Sequence, residues 1–405
     1  MNKKLSVSMF VLIAAAMLLS ACGTAVTPTA TAAVPLTGNE TTVPTSAPTT
    51  VPMPAATATA TPLPAGSVQI TGAGATFPLP IYTQWTYAYQ YVDPSVAINY
   101  NGVGSGAGKT AIINNTVDFA GSDSLLSDQN YTDGKDLQMY PMVAGAVVPV
   151  YNIAFAPVPT PAAGAKAITL PKLILDRQTL VDIYNGVVTS WNDPKIVALN
   201  PGLKDYLPAA AITTVHRSDA SGTTEIFTKS LTSFSTDWKA GGAQSVQWPG
   251  KGLGGKGNAG VAAAVINTPN SIGYVELAYA ISNSMSYAQM VNQAGKTVDA
   301  NGASVQAGMT EFANAFTDKL TAVIVDGKSD GAWPIAGYTY IILHTTSMQD
   351  CVKAQKIVDF LKWAQTDPAA QSAAAKLGYS VLPDAVRTNV LAKLAQVTCN
   401  GQPLK

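Results

Sequence analysis

The chain has 405 residues, and its 24 Lys plus Arg balance its 24 Asp plus Glu, so the formal net charge is zero. The chain therefore has neither the basic excess typical of nucleic-acid-binding proteins nor the acidic excess typical of a disordered, solvating tail. The length allows two domains with a sizeable core, and charged residues make up only 12% of the chain, in part because its N-terminal segments carry almost none.

The first residues have the pattern of a secretion signal. Two lysines form a positive n-region, and the apolar stretch from Leu5 to Leu19 that follows is too short for a membrane-spanning helix. The stretch ends in LSAC at Cys22, and small residues before a cysteine resemble the lipobox of bacterial lipoproteins. The resemblance implies removal of residues 1–21 and a lipid on Cys22. An ordinary signal peptide with a chance cysteine is the alternative.

The next segment consists mainly of Thr, Pro and Ala, with hardly an aromatic or charged residue up to about position 65. Such a stretch cannot bury enough apolar surface to offset the entropy lost on ordering. We therefore predict a disordered, extended stalk over residues 22–66 that separates the anchor from the folded body.

Strand-like and helix-like runs alternate from Ser67 onward. Short apolar or β-branched runs predict strands, and the segments between them predict helices. The predicted strands are 68–70, 97–101, 117–120 and 146–154, and the predicted helices are 77–91 and 109–115. The alternation is typical of an α/β fold with a mainly parallel sheet.

Three loops place glycines and hydroxyl side chains at predicted helix starts: Thr71–Pro78, Gly102–Gly108 and His216–Thr224. The unpaired N–H groups and partial positive charge of a helix N-terminus can hold an anion. Glycine allows close approach of the ligand, and Ser and Thr hydroxyls donate without adding charge. Each loop alone is better explained as an ordinary helix cap or turn. Together they favour an anion site without naming the anion.

Two kinds of charged group near these loops narrow the choice of anion. Arg217 could bind an oxyanion with two hydrogen bonds while Asp219 holds its guanidinium, or the two could form an ordinary surface ion pair. Asp123 would repel an anion unless that anion kept a proton to donate. Phosphate keeps such a proton near neutral pH and sulfate does not, so Asp123 would favour phosphate.

Six segments in a fixed order resemble the periplasmic phosphate-binding proteins, which are the substrate-binding subunits of the phosphate-specific ABC importer. They are TGAGATFPLPIYTQW from Thr71, NYNGVGSGAGKTAIINNTVDFAGSD from Asn99, HRSDASGTTEIFTKSL from His216, WPGKGLGGKGNAGVAA from Trp248, SIGYVELAYA from Ser271 and DGAWPIAGYTYIILH from Asp330. The resemblance covers nearly all of residues 67–382.

The resemblance implies the α/β fold of type II periplasmic binding proteins. In that fold, two α/β domains are joined by a hinge of two crossings, and the ligand lies in the cleft between them. We expect the crossings near Met142 and Ile335. Domain I would then comprise residues 67–142 and 336–405, and domain II residues 143–335.

The same resemblance implies the ligand residues. Asp123 would accept the phosphate proton, Asp219 would steady Arg217, and Gly106 would add a backbone N–H. The donors to phosphate would be the Thr76 hydroxyl, the Phe77 backbone N–H, Ser105, Arg217, Ser221, Gly222 and Thr223.

The resemblance also implies a binding protein with no catalytic role, cofactor or metal. Its partners would be phosphate, the permease subunits with their ATPase and, through the lipid, the membrane. It would sit on the extracytoplasmic face of the cell membrane.

Two other functions and one pairing stay open. A secreted phosphatase is disfavoured because the only histidines are His216 and His344, with no His/Asp cluster for a metal pair and no Gly-x-Ser-x-Gly elbow with triad partners. A binding protein for another oxyanion, such as sulfate, would share the fold. Cys351 and Cys399 could form one disulfide or remain buried free thiols.

Overall fold

The computed structural model describes residues 67–158 and 169–404. The predicted signal peptide, Cys22 and the predicted stalk over residues 22–66 lie outside the described residues. In the part of the chain that the structure describes, no helix combines the length and apolar character that crossing a membrane requires.

Strands and helices alternate along the described residues, as the sequence pattern predicts. The strands are β1 (Val68–Gly74), β2 (Val96–Gly102), β3 (Phe119–Ser122), β4 (Leu137–Asn152), β5 (Ile174–Asp176), β6 (Thr213–Arg217), β7 (Gly252–Gly255), β8 (Ser271–Glu276), β9 (Ser286–Tyr287), β10 (Gln289–Val291), β11 (Thr297–Val298), β12 (Ala336–His344), β13 (Ser380–Val381), β14 (Thr398–Cys399) and β15 (Gln402–Pro403). The helices are α1 (Leu79–Tyr89), α2 (Ser105–Ile113), α3 (Asp128–Gly134), α4 (Arg177–Tyr184), α5 (Pro194–Leu199), α6 (Gly222–Phe234), α7 (Gly257–Asn267), α8 (Leu277–Ser282), α9 (Gly302–Glu311), α10 (Cys351–Thr366), α11 (Pro368–Lys376) and α12 (Asp384–Leu394).

The main sheet has the strand order β2-β1-β3-β12-β4-β8-β6-β7, and β9 and β13 also pair with β4. Its two ends are parallel, since β1 pairs with β2 and β3, and β6 pairs with β7 and β8. Its centre is antiparallel, at the pairs β3–β12, β12–β4 and β4–β8. The prediction of a mainly parallel sheet is wrong there, because β12 comes from far along the chain and inserts beside β3, which local patterning cannot reveal.

The two central strands form the core of the sheet. All of β12 is buried, and so is all of β4 except Gln138 and Asn152. β4 pairs with β12 from Leu137 to Ala146 and with β8 from Val147 to Asn152, so one strand joins both ends of the sheet. It starts well before the predicted strand at 146–154.

Two predicted helices have different starts in the structure. α1 begins at Leu79, after Pro78, and ends at Tyr89. α2 begins at Ser105 instead of 109, because Gly104 takes a φ of +99° and ends the preceding loop at once. The glycines that suggested a longer turn lie inside α2, where a Cβ on Gly108 would come within 2.5 Å of the Gly74 backbone.

Cys351 and Cys399 form a disulfide. Cys351 opens α10 and Cys399 ends β14, so the bond ties the C-terminal hairpin to that helix. The two cysteines are 48 residues apart. A crosslink closing a loop of this length contributes about 4 kcal/mol in the chain-entropy model.

Candidate anion-binding site

Three of the predicted site residues follow the ends of three neighbouring parallel strands. Thr76 follows β1, Ser105 follows β2 as the first residue of α2, and Asp123 follows β3. Because the carboxyl ends of parallel strands meet at one edge of a sheet, ligands commonly bind there. We call Thr76, Ser105 and Asp123 the first wall of the site.

The other parallel end of the sheet contributes in the same way. Arg217 is the last residue of β6, Ser221 is the N-cap of α6, and Gly222 and Thr223 open that helix. Asn258 lies in the first turn of α7, which follows β7. We call Arg217, Ser221, Gly222, Thr223 and Asn258 the second wall.

The two walls are in direct contact. The Thr76 hydroxyl oxygen accepts hydrogen bonds from the backbone N–H of Asn258 (3.1 Å) and from its side-chain amide (2.9 Å). The Ser105 hydroxyl oxygen accepts one from the backbone N–H of Gly222 (3.1 Å). The structure therefore brings together residues that are far apart in the sequence.

Asp123 is buried, with 5% of its surface exposed. The Thr339 hydroxyl donates to its Oδ1 at 2.8 Å, and the Ser105 hydroxyl lies 3.5 Å from its Oδ2. Within the described residues, no Lys or Arg forms an ion pair with it. Burial raises the pKa of Asp123 to about 7, against the opposing effects of the Thr339 hydrogen bond and the Arg217 charge. Near neutral pH this carboxyl can therefore take up or release a proton.

Arg217 and Asp219 form a two-pronged ion pair. Nε donates to Oδ1 at 2.7 Å and Nη2 to Oδ2 at 2.5 Å, and the Gly257 N–H donates to Oδ1 at 3.0 Å. Burial opposes ionisation of Asp219, but the hydrogen bonds and charge of Arg217 hold its pKa below the usual value. The Arg217 side chain is only 1% exposed, so the alternative of an ordinary surface pair is excluded.

The start of α6 is buried beside this pair. The Ser221 hydroxyl oxygen accepts from the Thr224 N–H at 3.1 Å and so caps the helix, which leaves its own hydrogen to donate. Arg217 Nη1 donates to the Thr223 hydroxyl oxygen at 3.3 Å. The site thus combines a helix N-terminus, a fixed guanidinium and hydroxyl donors, all of which suit an oxyanion.

The predicted contributions of Phe77 and Gly106 are backbone N–H groups. The Phe77 ring lies in the core, and its carbonyl accepts from the Tyr379 hydroxyl at 2.7 Å. The Gly106 N–H donates to the carbonyl of Ala220 at 3.1 Å, so this donor is already used in the present conformation. A Cβ on Gly106 would lie 2.5 Å from the Ala220 Cβ, so glycine here allows the two walls to approach.

The sequence analysis missed Thr339 and Asn258, although both lie in the quoted segments. Thr339 is a fully buried polar residue between two tyrosines, in a strand that is otherwise apolar or aromatic up to His344. Because buried polar groups need partners, a short polar side chain in such a run is a signal that could have been used. Asn258 is also fully buried and follows a glycine-rich turn at a helix start, which resembles the other three loops.

Comparisons with known proteins identify the family of the chain. A family model described as a PBP superfamily domain matches residues 53–368. The phosphate-binding protein PstS of Xylella fastidiosa (strain Temecula1) is 38% identical over 309 residues, which are 76% of this chain and 79% of the relative. PstS of Pasteurella multocida (strain Pm70) is 37% identical over 322 residues, 78% of this chain and 87% of the relative. The chain belongs to this family of phosphate-binding proteins.

Solved structures share the fold of this chain. A high affinity periplasmic phosphate-binding protein (PfluDING), bound with phosphate, has a TM-score of 0.63 at 22% identity and covers 80% of this chain and 93% of that chain. A phosphate binding protein from Stenotrophomonas maltophilia has a TM-score of 0.57 at 21% identity and covers 80% and 94%. At these identities the likeness concerns the fold alone. The expected fold class, an α/β type II periplasmic binding protein, is confirmed, and its sheet is mixed instead of mainly parallel.

Family membership also settles the question of catalysis. The curated relatives PstS from Xylella and Pasteurella are named as binding proteins, and this chain matches most of their length. The prediction that the protein is not an enzyme is confirmed, and the secreted phosphatase is not favoured.

Proposed function

We propose that the protein captures inorganic phosphate outside the cell membrane and delivers it to an ABC importer. The observation that carries the proposal is that one site holds both the Asp123 carboxyl and the fixed guanidinium of Arg217. The pKa of Asp123 is raised to about 7 by burial. The Asp123 carboxyl suits an anion oxygen that carries a proton, and the Arg217 guanidinium suits oxygens that carry none. Phosphate near neutral pH has both kinds of oxygen.

The predicted donors would replace the water shell that phosphate loses in the site. An anion taken out of water must regain its hydrogen bonds from the protein. Thr76 and Ser105 would donate from the first wall, and Arg217, Ser221 and Thr223 from the second. The Phe77 N–H, which has no acceptor among the described residues, would add a backbone donor.

Asp123 would select phosphate over sulfate. As a carboxylate it accepts a hydrogen bond from a protonated phosphate oxygen. Sulfate carries no proton near neutral pH, so a charged Asp123 would face an unprotonated oxygen and repel it. Sulfate binding is therefore the second candidate function, and Asp123 separates it from the first.

The two walls would belong to two domains, residues 67–142 with 336–405 and residues 143–335. Two observations support crossings near Met142 and Ile335. β4 changes its partner from β12 to β8 between Ala146 and Val147. The N–H of Val147 donates to the carbonyl of Ile335 at 2.8 Å, so the two crossing segments run side by side. Ligand between the walls would favour the closed arrangement.

The N-terminal sequence supports a lipid anchor at Cys22, with residues 22–66 as a stalk. Each buried CH₂ of an attached acyl chain contributes about 0.8 kcal/mol to membrane binding, so several chains hold a protein firmly. The anchor would keep the binding domains on the extracytoplasmic face, within reach of the permease subunits.

Calorimetric titration tests the proposed ligand. The purified protein is unfolded and refolded to remove bound anion, and is then titrated with phosphate and, separately, with sulfate. We expect tight one-to-one binding of phosphate and no heat from sulfate. Equal binding of both anions would keep the oxyanion site but refute the role of Asp123. If neither anion binds, the three loops are ordinary helix caps and do not form an anion site.

A further inference from the structure

Asn258 belongs to the second wall, contacts the first and is fully buried. Its backbone N–H and its side chain both contact Thr76 on the first wall, and its side chain also contacts Thr223 on the second. No role in ligand binding follows from its residue type alone. Its hydrogen bonds, however, determine which way the neighbouring hydroxyl groups can point.

The backbone of Glu276 fixes the orientation of the Asn258 amide. The N–H of Glu276 lies 2.9 Å from the Asn258 Oδ1 and can only donate. The atom facing it must therefore be the amide oxygen, because the NH₂ end has no acceptor to offer. The NH₂ group is consequently turned to the hydroxyls of Thr76 (2.9 Å) and Thr223 (3.1 Å).

Both hydroxyl oxygens then have two donors. Thr76 Oγ1 accepts from the backbone N–H and the NH₂ group of Asn258, at 3.1 and 2.9 Å. Thr223 Oγ1 accepts from the Asn258 NH₂ group at 3.1 Å and from Arg217 Nη1 at 3.3 Å. A hydroxyl has two acceptor lone pairs and one hydrogen, so only the hydrogen is left on each. Within residues 67–158 and 169–404, neither hydrogen has a protein acceptor.

We propose that Asn258 is a positioning residue that turns the hydroxyl hydrogens of Thr76 and Thr223 toward the bound anion. This inference rests on the proposed function, the binding of phosphate in this site. The two threonines then act only as donors and face unprotonated oxygens, while Asp123 faces the protonated one. Asn258 thereby gives the anion one orientation between the walls.

A double-mutant cycle measured by calorimetry with inorganic phosphate tests the proposal. Asn258→Ala should weaken phosphate binding about 10-fold to 100-fold, the usual range for lost hydrogen bonds to a charged group. Combined with Thr223→Val or Thr76→Val, the same substitution should cost less, because one hydroxyl hydrogen is no longer there to be directed. In the chain with both valines its effect should fall below about threefold.

A matched control removes another buried asparagine of the same kind. Asn200 accepts from the Ile174 N–H at 2.7 Å and donates to the carbonyls of Ile174 and Ile196, at 2.8 and 2.9 Å. Asn200→Ala should lower the thermal stability and leave phosphate affinity unchanged. If Asn258→Ala fails to fold, Asn258→Asp replaces it in the cycle, since its added charge acts in every background and cancels.

The outcomes separate this inference from the proposed function. If the unsubstituted protein does not bind phosphate, the proposed function itself is wrong. If it binds phosphate and the loss from Asn258→Ala is the same with threonine or valine at 76 and 223, the proposed function stands and Asn258 acts only as a structural residue.

Discussion

Asp123 on the first wall and Asp219 beside the second are aspartates of one site, yet their surroundings move their pKa values in opposite directions. Asp219 lies against Arg217 and accepts a further bond from the Gly257 N–H, which holds its pKa low despite burial. Among the described residues, the Asp123 carboxyl has only the hydroxyls of Thr339 and Ser105 as hydrogen-bond partners, and burial raises its pKa to about 7. The difference is one of partners and of depth, since burial favours the neutral form in both but Asp123 is more deeply buried than Asp219.

This difference assigns separate tasks to the two walls. The second wall neutralises its own carboxylate and keeps one guanidinium nitrogen, Nη1 of Arg217, directed at Thr223. The first wall leaves its carboxyl without a countercharge, so its protonation state depends on pH and on the ligand. In the proposed site, the second wall would favour any anion, and the first would distinguish an anion that carries a proton from one that does not.

Removal of Arg217 should have the largest effect on phosphate affinity, because the second wall then loses its charged donor and no longer differs from the first. Arg217→Ala takes away the charged donor and leaves Asp219 buried without its partner. We expect phosphate binding to weaken by about 2–5 kcal/mol, the usual range for truncating one partner of a buried charge pair. The change is measured as the ratio of dissociation constants in calorimetric titrations with phosphate.

Arg177 provides the matched control for that experiment. It pairs with buried Asp326 at 2.6 Å and contacts the carbonyl of Ser233, near the far end of α6. Arg177→Ala should therefore destabilise the fold without changing phosphate affinity. An Arg217→Ala protein that binds phosphate as tightly as the Arg177→Ala protein would place Arg217 outside the site.

Substitution of Asp123 should change selectivity more than affinity for phosphate. Asp123→Asn removes the charge that repels an unprotonated oxygen, and its amide can donate to that oxygen. We expect sulfate to gain affinity relative to phosphate by about 10-fold or more, since each such polar contact contributes about 1–2 kcal/mol. Competition between the two anions at pH 8 measures this ratio.

Asp219→Asn sharpens the same comparison. Its carboxylate contacts Arg217 and the Gly257 N–H. In the proposed site it accepts no hydrogen bond from the ligand. Loss of its charge should therefore change phosphate and sulfate affinities by the same factor and leave their ratio as it was. If both aspartate variants shifted the ratio equally, the division of tasks between the walls would be wrong.

The sequence revealed the walls because the signals for them are local. Glycines and hydroxyls next to strand ends marked the loops of Thr76, Ser105 and Arg217, and the resemblance named their ligand. The connections between segments were not predicted. Thr339 and Asp123 are 216 residues apart, and Asn258 and Thr76 are 182 residues apart. Such contacts arise only when β12 enters the centre of the sheet and the second wall meets the first.

The local range of these sequence signals also explains why a mainly parallel sheet was predicted incorrectly. Alternating strands and helices correctly predict the parallel end formed by β1, β2 and β3, because each crossover there is contained in one stretch of sequence. The antiparallel centre depends on β12, whose neighbours β3 and β4 precede it by most of the fold. Cys351 and Cys399 are a further example, since no pattern in either segment points to the other.

The smallest expected effect is on the pH dependence of stability in the ligand-free protein. An unfolded Asp titrates near pH 3.9, whereas Asp123 in the fold titrates at about 7. Between these values the folded protein holds a proton that the unfolded chain has lost, so the contribution of Asp123 to stability falls as pH rises. Asp123→Asn cannot titrate and removes this contribution.

Thermal unfolding of both proteins at pH 5 and pH 7 measures that contribution. Between these pH values the melting temperature of the unsubstituted protein should fall by a few degrees more than that of Asp123→Asn, since 1 kcal/mol corresponds to about 2–4 °C in a domain of 150–250 residues. The pKa of Glu276 is raised mainly by burial, which is the same in both proteins, so most of its contribution cancels in the difference. Thr339→Val should enlarge the effect, because the Thr339 hydrogen bond lowers the pKa of Asp123.

Parallel pH profiles for the unsubstituted and Asp123→Asn proteins would mean that Asp123 is already charged at pH 5. The contrast between the pKa values of the two aspartates would then be lost.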